Sequence, residues 1–162
     1  MNVYTQFESL LGTVTVHGND DGLLGIWYES HARQLSDFGK QADDHPILQL
    51  TVTQLQEYFN GQRHEFSIPL AANGTEFQNK VWQALTTIPY GETWSYKDLA
   101  IAIGNPKASQ AVGGANSKNP ISIIVPCHRV IGKNGSLTGY AGGLDIKQRL
   151  LNLETKHHRL SK

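Results

Sequence analysis

The sequence is short of several things, and each shortage excludes a class of protein. It holds one cysteine in 162 residues, so no internal disulfide framework forms and no zinc site needing several thiolates can be built. No apolar run approaches the ~20 residues needed to cross a bilayer. Net charge is missing too, since 14 Lys and Arg balance 14 Asp and Glu. A balanced total does not exclude a polyanion partner, because binding needs only a local basic face. Repeats and low-complexity tracts are absent, and Met1–Glu8 lacks the basic start and apolar stretch of a signal peptide. With 39% hydrophobic residues, the expectation is a globular protein of one ordinary domain or two small ones, cytoplasmic, or nuclear if the source is eukaryotic.

What is present is unevenly distributed. Acidic residues crowd positions 19–65, including Asp20, Asp21, Asp37, Asp43 and Asp44, whereas from Lys97 onward Lys and Arg outnumber Asp and Glu. A polyanion would therefore meet the second half. Val3–Phe7, Thr13–Val16 and Leu23–Trp27 are β-rich segments broken by Gly12 and by the turn Asn19-Asp20-Asp21-Gly22, which predicts a small antiparallel meander. Pro46 opens a helical pattern with Ile47, Leu48, Leu50, Leu55, Tyr58 and Phe59 on one face, closed by Asn60-Gly61. His64–Ile68 reads as a returning strand. Ala71-Ala72-Asn73-Gly74 reads as a linker, dividing the chain into residues 1–72 and 73–162. Thr75 then caps a helix through Phe77, Val81, Trp82 and Leu85 that ends before Pro89-Tyr90-Gly91. The fold class is α/β (α+β): a β-meander with a helix, then a helical domain.

That second domain contains two closely joined helices. One runs from about Ser95 to Ala102, is broken by Gly104-Asn105-Pro106, and is followed by another from Pro106 to about Ser117. This is the helix-turn-helix pattern. The second helix is small-sided, with Ala108, Ser109, Ala111, Val112, Gly113, Gly114 and Ala115. Each interior glycine costs ~1 kcal/mol relative to alanine. Two explanations stand: close approach to a partner along the helix, or tight packing on a neighbouring helix.

Ile121–Val125 reads as a short buried strand leading into Pro126-Cys127-His128-Arg129-Val130. A lone cysteine is usually an inert, buried small hydrophobe. A proline before it and a histidine after it favour chemistry, because the thiolate is the nucleophile and a nearby base raises its fraction. The histidine needs an orienting partner, and the acidic residues of a helix at Leu144–Glu154, above all Glu154, are the candidates.

At this point the chain resembles the O6-alkylguanine-DNA alkyltransferase family. The resemblance rests on Pro126–Val130 and, in order, on Gly91-Glu92-Thr93-Trp94-Ser95-Tyr96, Gly104-Asn105-Pro106, Ala111–Asn116, Asn119-Pro120 and Gly139-Tyr140-Ala141-Gly142-Gly143. It covers about residues 75–154, and residues 1–72 resemble the family's variable N-terminal domain only loosely. It implies irreversible transfer of an alkyl group from O6 of guanine, with O4 of thymine open, to Cys127. The partner would be double-stranded DNA and the protein a monomer, without metal or cofactor. His128 would deprotonate the thiol through a water and Glu154 would orient it. Asn119 would tie the cysteine turn to the recognition helix. Tyr96, Val130, Tyr140, Ala141 and Lys147 would bind the flipped nucleotide, flipping being required because O6 lies inside the base stack. The recognition helix, with Gln110, Ala111, Gly113 and Gly114, would enter the minor groove, and Lys97, Lys107, Lys118, Arg129 and Lys133 would contact phosphates.

One position departs from the family. An arginine usually precedes the Ala-Val-Gly-Gly run, filling the gap left by the flipped base, and here it is Gln110. Glutamine still hydrogen-bonds an orphaned cytosine but carries no charge and stacks less well, so weaker flipping is expected. Two rival readings stay open: a lesion-marking DNA-binding module without transfer, and a thiol hydrolase that turns over repeatedly on a small acyl substrate.

Overall fold

A computed structural model describes residues 1–29, 38–132 and 143–160, the side chains of 158–160 excepted. Tyr140, Ala141 and Lys133 lie outside the described residues. The chain is mixed α/β and separates into two compact units, Met1–Ala72 and Asn73–Lys162. No described helix is long and apolar enough to cross a membrane.

In the first unit, strands β1 (Val3–Ser9), β2 (Gly12–Asn19) and β3 (Gly22–Tyr28) form the antiparallel meander, and a two-residue β4 (Lys40–Gln41) adds parallel to β1. Period-2 alternation puts Val14 and Val16 of β2 on one face with Leu23 and Ile26 of β3 in the same fully buried core. Helix α1 (Pro46–Phe59) covers that core with Leu48, Leu55 and Tyr58. It ends as Asn60-Gly61 implies: Gly61 N–H bonds Tyr58 O at 3.0 Å and Gln62 N–H bonds Glu57 O at 2.8 Å, a Schellman cap. The strand expected at His64–Ile68 does not form. Buried Gln54 takes that backbone instead, its Oε1 accepting from Ser67 N–H at 3.0 Å and its Nε2 donating to Ser67 Oγ at 3.0 Å.

In the second unit, α2 (Glu76–Leu85) starts at Thr75 through a full capping box with Gln78. Helix α3 (Tyr96–Ala102) is likewise boxed by Ser95 and Asp98. It stops at Gly104, whose φ of 80° suits glycine, with Gly104 N–H on Ile101 O and Asn105 N–H on Ala100 O, both at 3.0 Å. The next helix, α4 (Ser109–Ser117), begins three residues later than Pro106 suggests. Ala108 N–H bonds Asn105 O at 3.0 Å, so Pro106 sits inside a β-turn instead of opening the helix. Trp82 of α2 donates from Nε1 to Ala115 O at 2.9 Å and straps α4 to α2. A short parallel pair, β5 (Trp94–Ser95) with β6 (Val130–Ile131), and helix α5 (Leu144–Leu160) complete the unit.

Candidate active site

Cys127 lies at the end of a chain of turns, which corrects the strand expected over Ile121–Val125. Asn119 replaces the ladder that a strand would need. Its Oδ1 accepts from Ile121 N–H at 3.0 Å, and its Nδ2 donates to Val125 O at 2.8 Å and Ile121 O at 3.4 Å. Val125 N–H closes on Ile121 O at 3.0 Å. Inside that loop Ile124 N–H reaches Ser122 O at 2.9 Å across Ile123, whose φ is 73°. A β-branched residue at positive φ is strained by roughly 1–3 kcal/mol, and Ile123 is held there by a side chain only 1% exposed. Cys127 N–H then bonds Val125 O at 2.8 Å across Pro126 (φ −81°, ψ 64°), an inverse γ-turn. A 3-10 turn, Cys127–Arg129, leads into β6, so the strand follows the cysteine.

The thiol is buried, and burial pushes its pKa up to about 11, against the Asn119 amide and the Lys147 ammonium, which favour the thiolate. At pH 7 that leaves roughly one thiolate in ten thousand. Nucleophilic attack therefore needs a base at the moment of reaction. Lys147 is fully buried, and desolvation lowers its pKa while the Cys127 charge opposes that shift.

His128 is fully buried, with Nε2 2.6 Å from Glu154 Oε2. Its Nδ1 is buried with no hydrogen-bond partner among the described residues. Glu154 is 1% exposed yet fully satisfied. Arg129 grips it as a fork, Nε on Oε1 at 2.8 Å and Nη2 on Oε2 at 3.0 Å, and Gly91 N–H adds a bond to Oε1 at 3.2 Å. That amide is aimed by the turn Pro89–Glu92, in which Gly91 has φ 80°. Burial alone would raise the Glu154 pKa, but His128 and Arg129 outweigh it and hold the carboxyl well below the usual carboxylate range. Arg129 also donates from Nη1 to Ile88 O at 2.7 Å and lies over the Tyr90 ring, 5.6 Å from its centroid. The Tyr90 phenol is pushed up to about 12 by burial and by the Glu154 charge, with Arg129 opposing.

Cys127, His128, Glu154, Asn119, Val130 and Lys147 are thus brought into one buried region of the second unit. Lys147 and Glu154 lie seven residues apart on the buried face of α5, so one helix supplies both charges. Tyr96 opens α3, and a Cβ added at Gly113 would meet its ring at 3.5 Å. Gln110, Ala111 and Gly114 form an exposed strip along α4 that Lys107 and Lys118 flank. Arg129 is a correction: expected on the surface as a phosphate contact, it is 5% exposed and committed to Glu154 and Ile88. Gly91, Ile88, Tyr90 and Asn116, whose Nδ2 donates to Cys127 O at 3.5 Å, were not foreseen around the site. Gly91 and Asn116 stand in the motifs that carry the resemblance, and Pro-Tyr-Gly is a turn signal, but neither says what these residues face. No group of three His, Cys, Asp or Glu among the described residues is arranged to hold a metal.

Two family models match. One described as 6-O-methylguanine DNA methyltransferase, ribonuclease-like domain, covers residues 2–72, and one described as its DNA binding domain covers residues 76–156. The methylated-DNA–protein-cysteine methyltransferase of Methanosarcina acetivorans is 49% identical over 93% of this chain and 97% of its own length. The constitutive enzyme of that name from Bacillus subtilis is also 49% identical, over 95% of this chain and 96% of its own. The crystal structure of Mycobacterium tuberculosis OGT in complex with DNA superposes with a TM-score of 0.87 at 44% identity, covering 96% of this chain and 94% of that one. On its buried Cys-His-Glu site and on matches spanning both units, the chain belongs to the 6-O-methylguanine DNA methyltransferase family.

Proposed function

We propose that this protein repairs DNA by transferring an alkyl group from O6 of guanine to its own Cys127, once per molecule. The observation that carries the reading is the pairing of a deeply buried thiol with the adjacent His128–Glu154 pair, in a unit that also presents a helix-turn-helix. The relatives' names describe methyl transfer from methylated DNA to a protein cysteine, and one structural neighbour is a DNA complex.

In this reading His128 takes the thiol proton through a water, and Glu154 stabilises the imidazolium that forms. Sulfur attacks the alkyl carbon, the C–O6 bond breaks with its electron pair on guanine, and guanine takes up the proton. The thioether is stable because an alkylated sulfur is a poor leaving group at neutral pH, so the protein is consumed one for one. Asn119 fixes the cysteine turn against the end of α4. The strip of Gln110, Ala111 and Gly114 enters the minor groove while Lys107 and Lys118 meet phosphates, and Tyr96 helps rotate the nucleotide out. Gly114 supports this: nothing among the described residues lies within 4 Å of where its Cβ would sit, so their packing does not require a glycine there. Tyr140, Ala141, Val130 and Lys147 complete the base pocket. A free thiol as acceptor needs a reducing compartment, which makes a cytoplasmic monomer the proposed form.

Intact-mass analysis after incubation with duplex carrying O6-methylguanine tests the proposal. One added methyl per molecule is expected, and none in Cys127→Ala. No mass gain, or repeated turnover of a small acyl substrate, would overturn it.

A further inference from the structure

The alkyl-transfer reading uses Cys127, His128 and Glu154 and leaves unexplained why an arginine is buried beside them. A neutral imidazole carries one hydrogen. With Nε2 only 2.6 Å from a Glu154 oxygen that is also gripped by Arg129, that hydrogen belongs on Nε2, since two acceptors at this distance would repel. The lone pair is then on Nδ1, the ring nitrogen that is buried with no partner among the described residues. Charge counting gives the same result. Arg129 and Glu154 cancel, so protonating His128 as well would leave a net positive charge in a fully buried place. Without Arg129, a buried His128–Glu154 pair would be neutral as imidazolium with carboxylate or as imidazole accepting at Nε2 from a carboxylic acid, and in either form Nδ1 would already hold a proton.

We propose that Arg129 is a positioning residue that sets the proton inventory of the site: by neutralising and orienting Glu154 it keeps His128 unprotonated at Nδ1, so that the base is free until Cys127 gives up its proton. The depressed Glu154 pKa agrees, because a carboxylate held by a guanidinium fork is a weak competitor for that proton. The charged and titratable groups around His128 among the described residues are Arg129 and Cys127 beside it in sequence, Lys147 and Glu154 from α5, and Tyr90 from the turn after α2. The proton balance closes: the thiol proton goes to Nδ1 and from there to the departing guanine, so thiol plus alkylguanine gives thioether plus guanine, with His128 neutral before and after. The consequence for rate rests on the alkyl-transfer reading; the proton assignment does not.

The test is nitrogen-15 NMR of the histidine rings without DNA. In the wild-type protein His128 is expected as the Nε2–H tautomer at neutral pH, and an Nδ1–H tautomer or an imidazolium there overturns the proposal. Arg129→Met is expected to move the His128 titration up by roughly 1–3 pH units, the size of one buried charge effect, and the acid limb of the alkyl-transfer rate should move with it. Arg129→Lys keeps the charge and should hold the titration near wild type. An unmoved titration in folded Arg129→Met makes Arg129 merely structural, and a lysine variant that shifts as methionine does also sinks the idea. If Arg129→Met does not fold, the wild-type tautomer and the lysine variant decide. A correct tautomer in a protein that gains no methyl from DNA leaves the proton assignment standing and removes the alkyl-transfer reading instead.

Discussion

The two units bury different things. Among the described residues of Met1–Ala72, the buried polar side chains are Thr5, Thr15, His17, Thr51 and Gln54, and no Asp, Glu, Lys or Arg. In Asn73–Lys162 they include His128, Arg129, Lys147 and Glu154, together with a strained isoleucine in the turn before the cysteine. A buried ion pair is a poor source of stability, because desolvating two charges offsets most of their attraction. The first unit is stabilised by apolar area, from residues such as Leu23, Ile26, Leu48 and Leu55, all fully buried. The second accepts costly groups, pairs Glu154 with His128 and Arg129, and leaves His128 Nδ1 with no hydrogen-bond partner among the described residues, as expected where selection acts on chemistry more than on packing. The contrast is sharpest when each unit loses one buried group.

The largest expected effect is from Glu154→Leu. It strands the Arg129 and His128 donors in a buried place and should cost about 3–5 kcal/mol in urea denaturation, where Leu55→Ala in the first unit costs about 2–5 by leaving a cavity. The mechanisms separate in a double variant. Adding Arg129→Met to Glu154→Leu should recover part of the loss, whereas no partner change recovers Leu55→Ala. A single Glu154→Leu cost below ~1 kcal/mol would remove the contrast. Acid should act on the same group. The folded pKa of Glu154 is depressed, so its stabilisation is present above the ordinary glutamate pKa near ~4.3 and is lost as pH falls below it toward the folded value.

Next in size is an alkaline effect. The Cys127 pKa is raised from 9.0 to about 11, so the stability tied to its neutral form is complete below pH 9 and lost as pH rises through 11. Two units correspond to ~3 kcal/mol. Thermal unfolding from pH 8 to 11 should show wild type losing stability that Cys127→Ala does not lose. Parallel curves for the two proteins would mean that the thiol does not feel its burial.

Much of this was legible in advance, and apart from the helix start misread at Pro106 the misses trace to partners that composition does not reveal. Elements set by nearest neighbours read well: the Asn60-Gly61 stop, the Thr75 cap, the meander and both helices around Gly104. Cys127, His128 and Glu154 stood out because their residue types suit nucleophile, base and orienter. What failed depended on side chains replacing backbone partners or on partners far away in sequence. Ile121–Val125 has the composition of a strand, yet Asn119 satisfies its backbone and leaves it as turns. Gln54 does the same to the segment around Ser67. Arg129 looked like a surface charge because its partners, Ile88 and Glu154, are 41 and 25 residues away. A usable signal lay in α5, where Lys147 and Glu154 occupy positions that a packed helix fills with apolar residues.

A smaller effect separates folding from binding within the second unit. Gly114 is exposed on α4, and no described residue lies within 4 Å of where its Cβ would sit. Gly114→Ala should therefore stabilise the fold by ~0.5–1 kcal/mol through helix propensity, while weakening affinity for duplex DNA about tenfold, ~1.4 kcal/mol, if α4 must lie close to the groove floor. Gain in both measurements would mean that this face meets nothing.

The smallest effect tests the one departure from the family pattern. Gln110 is exposed at the second residue of α4, so Gln110→Arg should leave stability within about 0.5 kcal/mol. If the side chain fills the space left by the flipped base, arginine adds charge and a planar stacking surface, worth about 0.5–1 kcal/mol. Single-turnover alkyl transfer from duplex DNA should then speed up a few-fold, and the dependence of affinity on salt should steepen by no more than ~0.9, the slope of one added phosphate contact. A steeper slope with no gain in rate would make residue 110 a backbone contact. A gain in rate at unchanged slope would assign it to the flipping step, where Gln110, the uncharged residue, limits a site whose acceptor chemistry is otherwise complete.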